Sequence, residues 1–354
     1  MHVEPCVPVR GVSDPAVMEI SPTHTQTDGA AEPRSHLIVF AAAAGAATLT
    51  MAVIADAAGL GALGRTASHF DPGWLAVCVG GQVLAYVGYA VALRNVVRVD
   101  GGPQLSLSSS ARTVVAGFGV HGASHLSGGF AVDFWTLRRA GLSREQAIAR
   151  VACLGTLELA VLAPAGLVSA MAVLVGGAHI PGSVTWPWLL VVPGLLAAGW
   201  LTEPCRRDRL TQSLSGGKLR SGLAHTLAGL ALLRFLALRP RRHLPAIVGV
   251  ALFYLGDMTC LWAALMAFSV ELPVAYLVLA YATGSVASRR SMPAGGAGIT
   301  EVLMTFALVW VGIPLAPALA GVLLYRLVSF WLPIVPALAL LPYATRLRRD
   351  VEAP

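Results

Sequence analysis

Two glycine-rich breaks interrupt long apolar stretches of this chain, and the residues around them are the ones equipped for chemistry. The more pronounced is Ser288-Arg289-Arg290-Ser291-Met292-Pro293-Ala294-Gly295-Gly296-Ala297-Gly298-Ile299-Thr300-Glu301. Pro293 lacks a backbone donor, and Gly295, Gly296 and Gly298 carry the largest entropic penalty for helical order, so the main chain must open here. Guanidinium forks match phosphate oxygens, and free amides with a helix behind them attract anions, so Arg289, Arg290 and these glycines form a candidate phosphate-binding set. The competing reading of the arginines is a topogenic cytoplasmic turn. Glu301, on the first turn of the following helix, suits two roles: reaching back to free backbone donors, or partnering Arg326 or a proton. The other break, Gly117-Phe118-Gly119-Val120-His121-Gly122-Ala123-Ser124-His125-Leu126-Ser127-Gly128-Gly129, offers the amides of Gly128 and Gly129 and two histidines. With no third ligand nearby, His121 and His125 read as hydrogen-bonding groups at a helix break rather than as a metal site.

Charges inside the apolar stretches complete the candidate site. A charge at the centre of a bilayer costs from about 3 to over 10 kcal/mol, which singles out Asp133, Glu158, Asp257 and Arg326. Arg326 at mid-span needs a carboxylate, and Glu301, Glu158 or Asp257 could serve. Glu158, Asp257 and Asp133 are candidates for charge balance or proton coupling, although Asp133 falls near a basic connection, where solvation would suffice. Asp56 reads as interfacial. No nucleophile motif, paired carboxylates, cofactor fingerprint or Walker A loop is present, so catalytic residues, a cofactor and direct ATP drive are not expected. The five cysteines (Cys6, Cys78, Cys153, Cys205, Cys260) lack metal-ligand or disulfide spacing and read mostly as small packing residues.

The elements that must hold these residues follow from composition. Of 354 residues, 56% are hydrophobic and 12% charged, and the mean hydropathy of +0.71 excludes a soluble domain. The expected fold is an all-α polytopic membrane protein with about eight transmembrane helices and one or two broken re-entrant hairpins. Residues 1–35, rich in proline and polar groups, read as a disordered cytoplasmic tail. A transmembrane domain follows over 36–345, with a cytoplasmic tail at 346–354. Spans are drawn at roughly 37–57, 73–93, 147–175, 184–202, 244–269, 272–288, 298–313 and 316–341. Arginine crowds the connections at 94–112, 138–150 and 203–243 and the C-terminus, the third of these carrying an interfacial helix. The positive-inside rule then places both termini in the cytoplasm, and the net charge of +7 speaks for membrane topology rather than nucleic acid. Segment 112–137 starts and ends on the basic side, so it reads as a re-entrant hairpin. Segment 272–313 reads as two short spans or a second hairpin. The halves 73–175 and 244–341 then share a pattern of span, broken pair and span, inverted, which is one way transporters place a substrate site near the midplane. Close glycine packing is the alternative explanation of the breaks.

The run Pro293 to Glu301, followed by Gly312-Ile313, Leu324-Tyr325-Arg326, Trp331 and Pro333, resembles the C-terminal signature of the lysylphosphatidylglycerol synthase transmembrane family. Gly128-Gly129, Arg138, Gly141-Leu142-Ser143 and Ala147 are similar to its first-half pattern. The chain departs from that pattern at Leu126-Ser127, where a proline is usual, and at Gly155 and Glu158, which stand where the family often has Arg and Asp. The resemblance implies a membrane domain that handles an anionic phospholipid or lipid-linked molecule, as the flippase half of the aminoacyl-phosphatidylglycerol synthases does. With no aminoacyl-transferase domain in this sequence, lysine transfer to lipid is not expected. The expected function is a flippase-like lipid transporter of a bacterial cell membrane. The alternatives are an intramembrane enzyme on a lipid-linked substrate and a non-transporting scaffold of an envelope-lipid enzyme. Expected partners are the lipid and the membrane, with a second copy or a separate lipid-modifying enzyme as further candidates.

Overall fold

The computed structural model describes residues 49–123, 128–177, 180–202, 240–285 and 298–340, together with a few isolated positions. Among them there is helix and no strand. In chain order the helices are α1 (Leu49–Ala58), α2 (Leu60–Ser68), α3 (Trp74–Val97), α4 (Leu107–Ala123), α5 (Gly128–Arg139), α6 (Arg144–Val175), α7 (Gly182–Leu201), α8 (Pro240–Met266), α9 (Val274–Ser285), α10 (Ile299–Trp310), α11 (Leu315–Arg326) and α12 (Leu332–Ala339). A π-helical turn, Leu327–Trp331, joins α11 to α12. Five stretches are long and apolar enough to cross a membrane: Trp74–Val97, Arg144–Val175, Gly182–Trp200, His243–Met266 and Leu315–Pro336. The chain is thus an all-α polytopic membrane protein. The interfacial helix expected within 203–243 and the terminal tails fall largely outside the described residues.

The most intimate packing joins α3 and α8, and glycine makes it. A Cβ on Gly88 would stand 2.6 Å from the Gly249 carbonyl oxygen, and one on Gly81 would stand 2.7 Å from that of Gly256. Backbone therefore meets backbone at both crossings. Because Gly81 meets Gly256 while Gly88 meets Gly249, the two helices run antiparallel. Seven-residue spacing on both strands of the seam keeps the small residues on one face, the geometry by which helices in lipid approach closely.

Two further pairs of contacts are exchanged between the halves. α4 packs on α5 as α9 packs on α10, while α6 packs on α9 and α12 packs on α4. With the lead helices antiparallel, these contacts are matched in the manner of an inverted repeat. The Arg139 guanidinium pairs with Asp350 at 3.2 Å, so the end of α5 and Asp350 share a side. On the opposite side, Asp71 N–H donates to the Ala267 carbonyl at 2.8 Å and Phe70 packs on Phe268, gathering the arginine-poor connections.

One arginine of the basic connections has a further role. Arg150 is buried and donates from Nε to the Val97 carbonyl at 3.3 Å and from Nη2 to the Val99 carbonyl at 2.9 Å. The first closes α3 and the second, which also accepts from the Gly102 N–H at 3.2 Å, lies in the turn that follows, so Arg150 ties α6 to that end. α6 itself starts from a reciprocal cap, in which Ser143 Oγ accepts from Gln146 N–H and Gln146 Oε1 accepts from Ser143 N–H.

Candidate functional site

α10 begins at Gly298, whose φ of +85° lies in the left-handed region that glycine alone occupies at little cost. That turn sets Glu301 three residues on, facing back. Glu301 Oε2 accepts from the Gly298 N–H at 2.6 Å, and Oε1 accepts from Arg326 Nε at 2.8 Å. The two roles weighed for Glu301 are therefore both filled, one by each oxygen. Only 6% of the Arg326 side chain and 5% of the Glu301 side chain are exposed. The Phe330 ring, from the π-helical turn, lies 4.2 Å from Arg326 Cζ, adding a cation–π contact. A lone buried charge here would be costly, and the pairing, reinforced by the positive end of α10, offsets it.

The preceding residue on α11 belongs to a second polar cluster. Asp257 of α8 accepts, at the same Oδ2, from Tyr281 Oη of α9 at 2.6 Å and from Tyr325 Oη of α11 at 2.8 Å. All three side chains are buried. Consecutive residues on a helix point about 100° apart, so α11 presents Tyr325 toward α8 and α9 and Arg326 toward α10. The two clusters thus join α8, α9, α10 and α11. Trp188 of α7 completes this wall by donating from its indole N–H to Thr283 Oγ1 of α9 at 3.1 Å.

Depth follows from helix rise. Arg326 is the twelfth residue of α11, about 18 Å along it, and Asp257 lies nine residues, about 14 Å, from the end of α8. Both fall within a hydrocarbon layer of about 30 Å if the helices cross it. α10, at 12 residues between its caps, is about 18 Å long, too short to cross it singly. Thr305 lies one turn beyond Glu301, and Ser329 about one turn beyond Arg326. The hydroxyls of Thr300, Thr305 and Ser329 are buried without a partner among the described residues.

Other expected site residues are placed differently. Asp133 is fully buried on α5, not solvated at the interface, because it faces the protein side of that helix along with Val132, Thr136 and Leu137. Glu158 is half-buried on α6, so Asp133 and Glu158 both sit in the first half. Asp56 is exposed. Gly128 and Gly129 open α5, as Gly298 precedes α10. Arg289, Arg290, Gly295, Gly296 and His125 lie outside the described residues, as does the side chain of His121. Gly155 lines an apolar cavity of about 470 Å³ between α5 and α6, with Phe130, Phe134 and Val151, so the position where the resembled family often has arginine is here a void-lining glycine. Cys78, Cys153 and Cys260 are buried free thiols.

Tyr281 and Tyr325 were not among the expected site residues, which were chosen by charge. The signal was available: a phenol in an apolar span must find a partner for its hydroxyl. Among the described residues no cluster of three or more His, Cys, Asp or Glu could hold a metal ion.

A family model described as the lysylphosphatidylglycerol synthase TM region matches residues 37–337. No curated protein matches the chain.

Proposed function

Since the chain belongs to the lysylphosphatidylglycerol synthase TM region family, we propose that it is a lipid transporter, a flippase that moves an anionic phospholipid or a related lipid-linked molecule across a bacterial plasma membrane. The observation that carries this reading is the pair of buried polar clusters, Glu301–Arg326 and Asp257–Tyr281–Tyr325, which tie two long apolar helices to the shorter α9 and α10. A purely structural bundle of apolar helices has no need of an ion pair there, because lipid-facing and buried positions alike are served by apolar side chains.

In this reading segments 112–137 and 272–313 are broken hairpins that enter from opposite sides, with both termini cytoplasmic. Their tips form a polar chamber for the headgroup while the acyl chains stay in lipid. Arg289, Arg290 and the glycine amides at 128–129 and 295–296 bind phosphate. Gly298 contributes differently, since its N–H is engaged by Glu301. Arg326 holds Glu301 and so fixes the start of α10, and the buried hydroxyls of Thr300, Thr305 and Ser329 supply acceptors and donors to the headgroup. The protein transports and does not catalyse.

The test uses the purified full chain in vesicles of phosphatidylcholine and phosphatidylglycerol carrying a fluorescent phosphatidylglycerol. The expected result is a protein-dependent rise in the fraction of label reached by an impermeant quencher, weakened by Arg289→Ala/Arg290→Ala. Unchanged label asymmetry under proton, sodium and potassium gradients alike would count decisively against transport.

A further inference from the structure

The two buried carboxylates of the second half differ in the kind of donor they face. Glu301 is bonded by a guanidinium N–H and a backbone N–H. Neither can turn round and accept, so a proton placed on Glu301 would meet donors on both sides. Asp257 is bonded by two phenols, and a hydroxyl either donates or accepts. A proton placed on Asp257 Oδ2 finds an acceptor as soon as one phenolic O–H rotates away, while the other phenol continues to donate. Asp257 alone of the two is satisfied in both protonation states.

We infer that Asp257, with Tyr281 and Tyr325, is the proton-binding site of this transporter, and that Glu301–Arg326 is a fixed ion pair that does not exchange its proton. This deepens the transport reading and rests on it for the coupling to lipid, though not for the proton site itself. The proton arrives from water, forms an O–H bond on Asp257, and leaves by the same bond on the other side of the membrane. No other group changes its bonding except the hydroxyl that turns. The titratable and charged groups packed around the site are Tyr281 on α9, Tyr325 and Arg326 on α11, Tyr254 on α8 against the Tyr281 ring, and Cys260 on α8 with Cys78 of α3 bonded to its carbonyl. Because the phenols come from α9 and α11, loading the proton reverses the direction of one of these two bonds and keeps both helices tied to α8. One arm of the broken segment, α9, therefore senses the proton directly.

The test is pH-difference infrared spectroscopy of the full chain in phosphatidylcholine–phosphatidylglycerol vesicles, with lumenal pH and quencher-accessible label followed on the same preparation. The expected result is a protonated-carboxyl C=O band that disappears in Asp257→Asn, persists in Glu301→Gln, and shifts in both Tyr281→Phe and Tyr325→Phe. Gradient-driven proton uptake should fall at least tenfold in Asp257→Asn. Persistence of the band in Asp257→Asn, its loss in Glu301→Gln, its absence from the wild type, or lipid movement by the wild type without proton flux would overturn the assignment. Should the phenylalanine variants alone be folded, an unshifted band in both overturns it as well. A wild type that shows the Asp257 band but moves no lipid refutes transport and leaves the proton site standing.

Discussion

In Glu301→Gln the side chain keeps its length and one acceptor oxygen but loses the charge facing Arg326. The remaining oxygen can serve either the Gly298 N–H or Arg326 Nε, now at 2.6 and 2.8 Å, and the new amide points donors at whichever is left. A guanidinium only 6% exposed then loses the carboxylate to which its Nε donates at 2.8 Å, and removing one partner of a buried pair costs about 3–5 kcal/mol. Arg326→Met leaves the complementary defect, a buried carboxylate held by one backbone amide, at a cost in the same range of about 3–5 kcal/mol. The double variant carries neither charge: glutamine still caps Gly298, and methionine fills the space beside Phe330. Its stability should return to within about 1 kcal/mol of the wild type, since apolar replacement of a whole buried pair is roughly neutral. The double variant should thus cost at least about 5 kcal/mol less than the sum of the single costs, a coupling only contacting residues show. The assay is equilibrium unfolding of the purified full chain in mixed micelles with rising anionic detergent. Single losses under about 1 kcal/mol, or a double variant equal to the sum, would refute the buried-pair reasoning.

Gly88→Ala sets a methyl 2.6 Å from the Gly249 carbonyl oxygen and should cost about 1–3 kcal/mol by forcing α3 from α8. Gly80→Ala, with nothing within 4 Å of the added atom, should leave stability unchanged or raise it by up to about 1 kcal/mol; the same detergent titration reads both. Arg150→Ala should strip the end of α3 of its donors and cost about 1.5–3 kcal/mol per lost charged bond, seen as faster amide exchange over residues 94–102. Arg150→Lys should recover little of this, since a single ammonium does not match two carbonyls reached by a planar fork. Trp188→Phe removes the bond to Thr283 and should lower stability by about 0.5–1.5 kcal/mol, with Thr283→Val giving a similar loss and no further loss when the two are combined.

Much of the architecture was legible because the bilayer imposes a length and an apolar composition that few other folds share. Spans near 73–93, 147–175, 184–202, 244–269 and 316–341 correspond to the five long apolar helices, those near 272–288 and 298–313 overlap α9 and α10, and α1 covers the described end of the span drawn at 37–57. The partner of Arg326 was not resolved among Glu301, Glu158 and Asp257, because a list of charges has no geometry. The turn at Gly312-Ile313 contains it: α10 and α11 run antiparallel from that turn, and residues 301 and 326 lie at nearly equal distances from it. Tyr281 and Tyr325 were passed over because they carry no charge, and Arg150 because arginine in a basic connection has a sufficient explanation in topology. Asp133 was misjudged since sequence distance from a basic turn does not say which side of the helix a residue takes. The seven-residue spacing of Gly81 with Gly88 and Gly249 with Gly256 was in plain view, but four glycines among 37 show their meaning only when two helices meet.

That meeting of α3 with α8 bears on how the molecule could change shape. Each is the lead helix of its own half, and at the two levels where main chain touches main chain there is no side chain between them to let one half roll against the other. The halves accordingly share a single mast. Any passage between inward-open and outward-open forms must be made by the elements hung from it, the α4–α5 and α9–α10 pairs, with the mast itself standing still.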